Sequence, residues 1–259
     1  MNGEKIDMSE SMRKGIYILP NLFTTGSLFA GFYGMVATMN GDFKSAALWI
    51  LASSIFDGLD GKVARLTGTS SKFGVEYDSL ADLVSFGVAP GLLMYKWALQ
   101  PFGRLGWLAA FLFVVCGALR LARFNVQVNT VENKRFVGLP IPAAASMVSA
   151  TVLLFYHFGW PSSYKKVAIL VLIYLLAFLM VSSFRYYSFK DPELIKRQPF
   201  AFLVLAVLLF IVIAAEPLVM LFVIFICYTF SGIIGFLMTW PRRRRLEKAI
   251  HNKHARDEQ

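Results

Sequence analysis

Asp57, Asp60, Asp78 and Asp82 stand within "FDGLDGKVARLTGTSSKFGVEYDSLAD", in a chain that is 57% hydrophobic. The first two are three residues apart and the last two four apart, so on helices each pair shares one face. Four carboxylates brought together would repel one another and resist ionising unless cations sat between them. Oxygen donors with no histidine or cysteine nearby suit Mg²⁺ or Mn²⁺, with Ca²⁺ also admissible, rather than zinc. Four acids suffice for two ions. Gly58 and Gly61 lie among the acids, Ala64 follows on the same helix, and Gly74 precedes Asp78 by four. Glycine inside a helix costs about 1 kcal/mol against alanine and commonly marks the close approach of a ligand or a backbone. A flat or phosphorylated ligand could therefore lie there, with Arg65 meeting an oxyanion. The plain alternative is a set of solvated or paired acids at a helix end, with the glycines serving helix packing. Intramembrane acids favour the functional reading.

The elements that must carry these residues are membrane helices. A bilayer core needs about 20 apolar residues per helix, and eight runs qualify or nearly so: Leu19–Met39, Phe43–Leu66, Tyr77–Gln100, Leu105–Arg123, Ile141–His157, Val167–Ser183, Phe200–Ala214 and Pro217–Trp240. They are too long and continuous for barrel strands, which leaves an all-α integral membrane bundle of about eight helices. The connecting stretches "MNGDF", "QPFGR", "GLPIP", "FGWPSS" and "AAEPL" are too short for a soluble domain. The expected organisation is a cytoplasmic segment 1–18, either a disordered lead or an interfacial helix, a transmembrane domain 19–240 and a basic tail 241–259.

The formal charge of +10 is unevenly spread. Basic residues gather at the N-terminus, between Lys62 and Lys72, around Arg120–Arg135, around Arg185–Arg197 and in the tail "RRRRLEK". By the positive-inside rule both termini and the acid-bearing link are cytoplasmic, as an even number of spans requires; Lys165 and Lys166 run against this topology. Arg242–Arg245 reads as a topology signal that touches anionic lipid, not as a nucleic-acid site. Cys116 and Cys227 fall inside runs without metal-ligand spacing and are expected to be buried small side chains. Gly26, Gly31 and Gly34 would let helices pack closely. Pro140 and Pro142 mark a sharp entry into the fifth run.

Read as D-x-x-D-G-x-x-A-R, eight residues, then G-x-x-x-D-x-x-x-D, the stretch resembles the signature of the CDP-alcohol phosphotransferases. Asp57, Asp60, Gly61, Ala64, Arg65, Gly74, Asp78 and Asp82 fill every defined position. The resemblance implies a six-helix core plus two C-terminal helices, a homodimer, and transfer of a phosphoryl-linked group from a CDP-linked donor to an alcohol with release of CMP. It also implies that Asp57, Asp60 and Asp78 bind the metals holding the donor pyrophosphate, with Asp82 sharing the second ion and acting as the base. Gly58, Gly61 and Ala64 would line the cytidine site, and Arg65 and Gly74 would lie at the donor's phosphates.

The flanking stretches "LPNLFTTGSLFAGF", "DSLADLVSFGVAP", "GALRLARFNV" and "FVGLPIPAAA" are similar to the bacterial integral-membrane phosphatidylserine synthases. That likeness implies CDP-diacylglycerol as donor, L-serine as acceptor and residence in the inner membrane. A serine pocket needs a cation for the carboxylate, and Arg120, Arg123 and Asn125 at the cytoplasmic end of the fourth run are the candidates. Positive-inside anchoring accounts for the arginines equally well. Two rival readings stand: the same chemistry with glycerol 3-phosphate or inositol phosphate, and a cation-coupled transporter that uses the intramembrane carboxylates.

Overall fold

The computed structural model describes residues 3–68, 71–128, 136–160, 162–186 and 213–236. Helices α1 (Gly3–Met39) and α2 (Phe43–Thr67) form an antiparallel hairpin. α1 runs without a break from Gly3 through Pro20, so its backbone extends well before the apolar run that begins at Leu19. The turn between the helices places Gly41 at a φ of 79°, and Asp42 caps α2 by accepting the Ser45 N–H at 3.1 Å. Hydrogen bonds from the Ser45 side chain and backbone hold the Asp42 carboxyl below the usual carboxylate range.

Helix α2 ends at Gly68, whose φ of 63° suits a residue without a Cβ. Ser71 then caps α3 (Lys72–Asp82) by accepting the Gly74 N–H at 2.9 Å. The helical path continues through a π-type turn at Leu83–Val88, helix α4 (Ala89–Met94), a second π-type turn at Tyr95–Leu99 and a short 3₁₀ turn at Gln100–Phe102. Pro90 gives the first wide turn a cause. Lacking an N–H, it cannot serve the carbonyl four residues earlier, and the Ala89 N–H reaches back five residues to Val84.

Helices α5 (Arg104–Val128), α6 (Ile141–Phe158) and α7 (Ser162–Val181) follow, and α8 (Pro217–Phe236) is the last described helix. Pro140 caps α6 and Pro142 lies in its first turn, where the missing N–H costs nothing. Among the described residues, four stretches are long and apolar enough to cross a membrane, Leu19–Met39, Arg104–Val126, Ile141–Phe158 and Pro217–Phe236, and Val167–Val181 is a shorter apolar one. The protein is therefore an all-α membrane protein. The expected runs fall on helices where they are described, with Tyr77–Gln100 divided among α3, α4 and the π-type turns; most of Phe200–Ala214 and the last four residues of Pro217–Trp240 lie outside the described residues.

The core sits where α6 is surrounded, with Ala144, Ala145, Met147, Val148, Val152 and Leu153 all buried. Short antiparallel strands β1 (Phe136–Val137) and β2 (Arg185–Tyr186) join the approach to α6 to the exit of α7. The Gly138 N–H donates to the Phe184 carbonyl at 2.8 Å and that of Leu139 to Leu179 at 3.0 Å. Tyr186 is fully buried and donates its hydroxyl to the Thr229 carbonyl of α8 at 3.1 Å. A Cβ on Gly232 would run into the Tyr186 ring, so α8 seats on this tyrosine through a small residue. Cys116 is buried as expected, but Cys227 is exposed on α8, because that helix presents only part of its circumference to its described neighbours.

Gly26, Gly31 and Gly34 of α1 are used within the chain. A Cβ on Gly26 would meet Phe56 at 3.3 Å, and one on Gly34 would meet Ile50 at 3.2 Å and the Ala46 carbonyl at 3.3 Å, both on α2. One on Gly31 would lie 2.6 Å from the backbone Cα of Ser85 in the first π-type turn. Ser85 also donates to the Ser27 carbonyl at 3.1 Å, and the Ser27 and Ser53 hydroxyls pair at 2.8 Å. Because Ser85 backbone cannot yield as a flexible side chain would, Gly31→Ala is expected to destabilise the protein by about 1–3 kcal/mol, the usual cost of overpacking. Thermal unfolding in detergent measures this, with Gly58→Ala, where a Cβ meets nothing within 4 Å, as the comparison.

Candidate active site

The antiparallel course of α2 into α3 brings the two acid pairs together. Asp57, Asp60 and Asp78 can each turn one carboxylate oxygen toward a common point, these atoms lying within 4.8 Å of one another. Asp82 is buried one turn beyond Asp78, with its carboxyl beside that of Asp57. Asp60 is buried as well, and its Oδ2 accepts the Thr24 hydroxyl of α1 at 2.8 Å.

This donor set fits a hard divalent cation. It consists of carboxylate oxygens alone, and Asp78 Oδ1 is buried with no hydrogen-bond partner. An orphaned carboxylate oxygen is costly to bury, and a bound cation would satisfy it. Among the described residues, these acids form the one group of three or more metal-type ligands.

Gly58 and Gly61 lie along one stripe of α2 beside the acids, and a Cβ at either would meet nothing within 4 Å. The helix therefore presents an open strip of bare backbone next to the carboxylates, and Ala64 continues it at half-buried depth. Arg65 is exposed at the end of the strip and donates Nε–H to the Gly61 carbonyl at 2.8 Å, which leaves its terminal nitrogens for an anion. At Gly74 a Cβ would sit 3.2 Å from Ser71 Oγ and 3.3 Å from Asn21 Oδ1, so its small size also lets α3 pack on α1.

The three candidates on α5 part company. Arg120 is 8% exposed and lies within electrostatic reach of Asp82, Tyr228 and Asp57, its guanidinium 5.7 Å from the Phe124 ring centre. Its Nε is buried without a hydrogen-bond partner. Arg123 instead donates to the Val181 carbonyl at 3.4 Å, and Asn125 donates to Ser79 Oγ at 2.9 Å. Of the three, Arg120 is the one aimed at the acids.

The structure also adds residues that spacing on α2 and α3 did not reveal. Thr24 reaches Asp60, Thr25 pairs with the Tyr77 hydroxyl at 2.9 Å, and Tyr228 of α8 faces Arg120. The adjacent threonines inside an apolar run were the available signal. Nothing in the sequence near Tyr228 points toward Arg120.

The sequence has a counterpart among known families. Residues 17–228 match the family model described as CDP-alcohol phosphatidyltransferase, and the chain belongs to that family. The chain is 42% identical to the CDP-diacylglycerol–serine O-phosphatidyltransferase of Helicobacter pylori over 239 residues, covering 92% of this chain and 97% of that protein. It is 37% identical to the archaetidylserine synthase of Methanothermobacter thermautotrophicus over 181 residues, 69% of this chain and 73% of that protein. A match to the CDP-diacylglycerol–serine O-phosphatidyltransferase of Mycobacterium leprae is 40% identical over 157 residues, 58% of this chain and 52% of that protein.

Proposed function

We propose that this enzyme transfers the phosphatidyl group of CDP-diacylglycerol to the hydroxyl of L-serine, yielding phosphatidylserine and CMP. The observation that carries the reading is the convergence of Asp57, Asp60 and Asp78 beside an open glycine strip, in a chain similar over nearly its whole length to a serine O-phosphatidyltransferase. Asp57, Asp60 and Asp78 would hold the divalent ions, Mg²⁺ or Mn²⁺ and two per site, with Asp82 sharing the second. When bound, such ions neutralise the pyrophosphate and stabilise the departing CMP.

The chain's own groups do the rest. Gly58, Gly61 and Ala64 give the cytidine a surface without side-chain obstruction, and Arg65 at the end of that strip, with Gly74 beside α1, borders the donor's phosphates. Arg120 binds the serine carboxylate, for which a buried guanidinium with an unpaired Nε is suited. Arg123 and Asn125, the other two candidates, are engaged elsewhere, with the Val181 carbonyl and with Ser79. Asp82 takes the proton of the serine hydroxyl as its oxygen bonds to the β-phosphorus. The bond from that phosphorus to the bridging oxygen breaks, and the electron pair leaves with CMP.

The protein works in a bacterial inner membrane with both termini and the active site on the cytoplasmic side, a topology supported by the basic N-terminus and the tail Arg242–Arg245. It works as a homodimer, as its family membership implies.

Purified protein in detergent with CDP-diacylglycerol and Mn²⁺ or Mg²⁺ is expected to release CMP when L-serine is added. Release with glycerol 3-phosphate or inositol phosphate instead would keep the reaction class and overturn the serine assignment. No release with any acceptor, together with cation flux in proteoliposomes, would favour a transporter.

A further inference from the structure

Asp60 is 6% exposed and Thr24 is 4% exposed, and between them runs a hydrogen bond of 2.8 Å from the threonine hydroxyl to Oδ2. The same hydroxyl also lies 3.2 Å from the Pro20 carbonyl one turn back on α1. It has one proton and cannot serve both acceptors. The shorter contact, to an acceptor that carries charge when ionised, wins, because charge-assisted hydrogen bonds are roughly twice as strong as neutral ones. The hydroxyl proton of Thr24 is thus committed to a carboxylate 36 positions further along the chain.

A buried carboxylate held at one oxygen has its rotation fixed and its remaining lone pairs aimed. Here the carboxyl shares a cluster with Asp57 and Asp78, one oxygen of each lying within 4.8 Å of the others. The same turn of α1 reaches the other half of the cluster, where Thr25 pairs with Tyr77, the neighbour of Asp78, at 2.9 Å. Asn21, on that turn as well, is the surface against which Gly74 of α3 packs. The first helix therefore touches both acid-bearing helices at the level of the acids, although it contributes no ligand of its own.

We propose that Thr24 is a positioning residue for the metal centre, fixing Asp60 in the orientation in which it ligates. The inference rests on the metal reading given above. Hydrogen-bond partners of this kind typically account for 10- to 100-fold in metal affinity.

The test is Mn²⁺ binding to the purified full-length protein without any substrate, read by the loss of the free Mn²⁺ resonance signal on titration. Thr24→Val keeps the shape and removes the hydroxyl, and its dissociation constant is expected to rise about 10- to 100-fold. Thr24→Ser restores the donor and is expected to stay within about threefold of the parent, since the partner of Asp60 is retained. CMP release by Thr24→Val is expected to recover largely at saturating Mn²⁺. Parental Mn²⁺ affinity in Thr24→Val overturns the proposal, and so does an equal loss in Thr24→Ser, which would assign the effect to packing. Should Thr24→Val not elute as a single species, Thr24→Ala is read against the same two outcomes. Absence of Mn²⁺ binding in the parent protein would instead sink the metal reading itself, a result distinct from parental affinity in the variant.

Discussion

Asp82→Asn is expected to lower the rate of CMP release by about 10²- to 10⁴-fold, the range that general-base catalysis supplies. Asparagine has nearly the shape of aspartate, so α3 and the start of the π-type turn should keep their packing. Its amide cannot accept the serine proton. Asp82 is the right residue to single out because it stands apart from the close triad: Asp57, Asp60 and Asp78 converge without it. It is buried, faces Asp57 and lies within reach of Arg120, so it sits between the metal cluster and the place assigned to the acceptor's carboxylate. Mn²⁺ binding by Asp82→Asn should persist at the ion held by Asp57, Asp60 and Asp78 and weaken at the second, which Asp82 shares. Asp78→Asn should lose both binding and turnover, since it removes the charge and one of the two oxygens of a carboxylate in the cluster. Turnover by Asp82→Asn within about tenfold of the parent would show that the base lies elsewhere, since a true base contributes at least 10²-fold.

Arg120→Lys is expected to raise the KM for L-serine by about tenfold or more, corresponding to some 1.4 kcal/mol of lost binding. Lysine keeps the charge but loses the planar fork that grips a carboxylate with two parallel hydrogen bonds. The effect on kcat should be smaller, and Mn²⁺ binding should be retained. Arg123→Lys is the internal comparison, because Arg123 is engaged with the Val181 carbonyl rather than with the acids. It should leave the serine KM within about twofold, as a side chain without the carboxylate contact would. Equal effects of the two substitutions, or none, would remove the assignment of the serine carboxylate to Arg120. Positive-inside anchoring accounts for either arginine in the sequence. It does not account for a guanidinium buried beside Asp82 and Asp57.

The sequence by itself determined the parts of this protein that local periodicity governs. Apolar runs of bilayer length specify membrane helices because they are too long and continuous for barrel strands, and a helix satisfies its own backbone hydrogen bonds in lipid. Spacings of three and four place Asp57 with Asp60 and Asp78 with Asp82 because 3.6 residues make a turn. The short link between α2 and α3 then obliges the pairs to meet, and the acid cluster was legible before any fold was known. Neighbours far apart along the chain carry no such period. That Thr24 serves Asp60, that Gly31 lies against Ser85 rather than another subunit, and that Arg120 and not Arg123 turns to the acids were decided when α1 and α5 packed beside the α2–α3 pair. The same holds for α8, which reaches Arg120 through Tyr228 once Tyr186 seats against Gly232. Helix faces are set by hydrogen bonds four residues long, whereas which faces meet depends on side-chain shape summed over the bundle, and only the tertiary structure performs that sum.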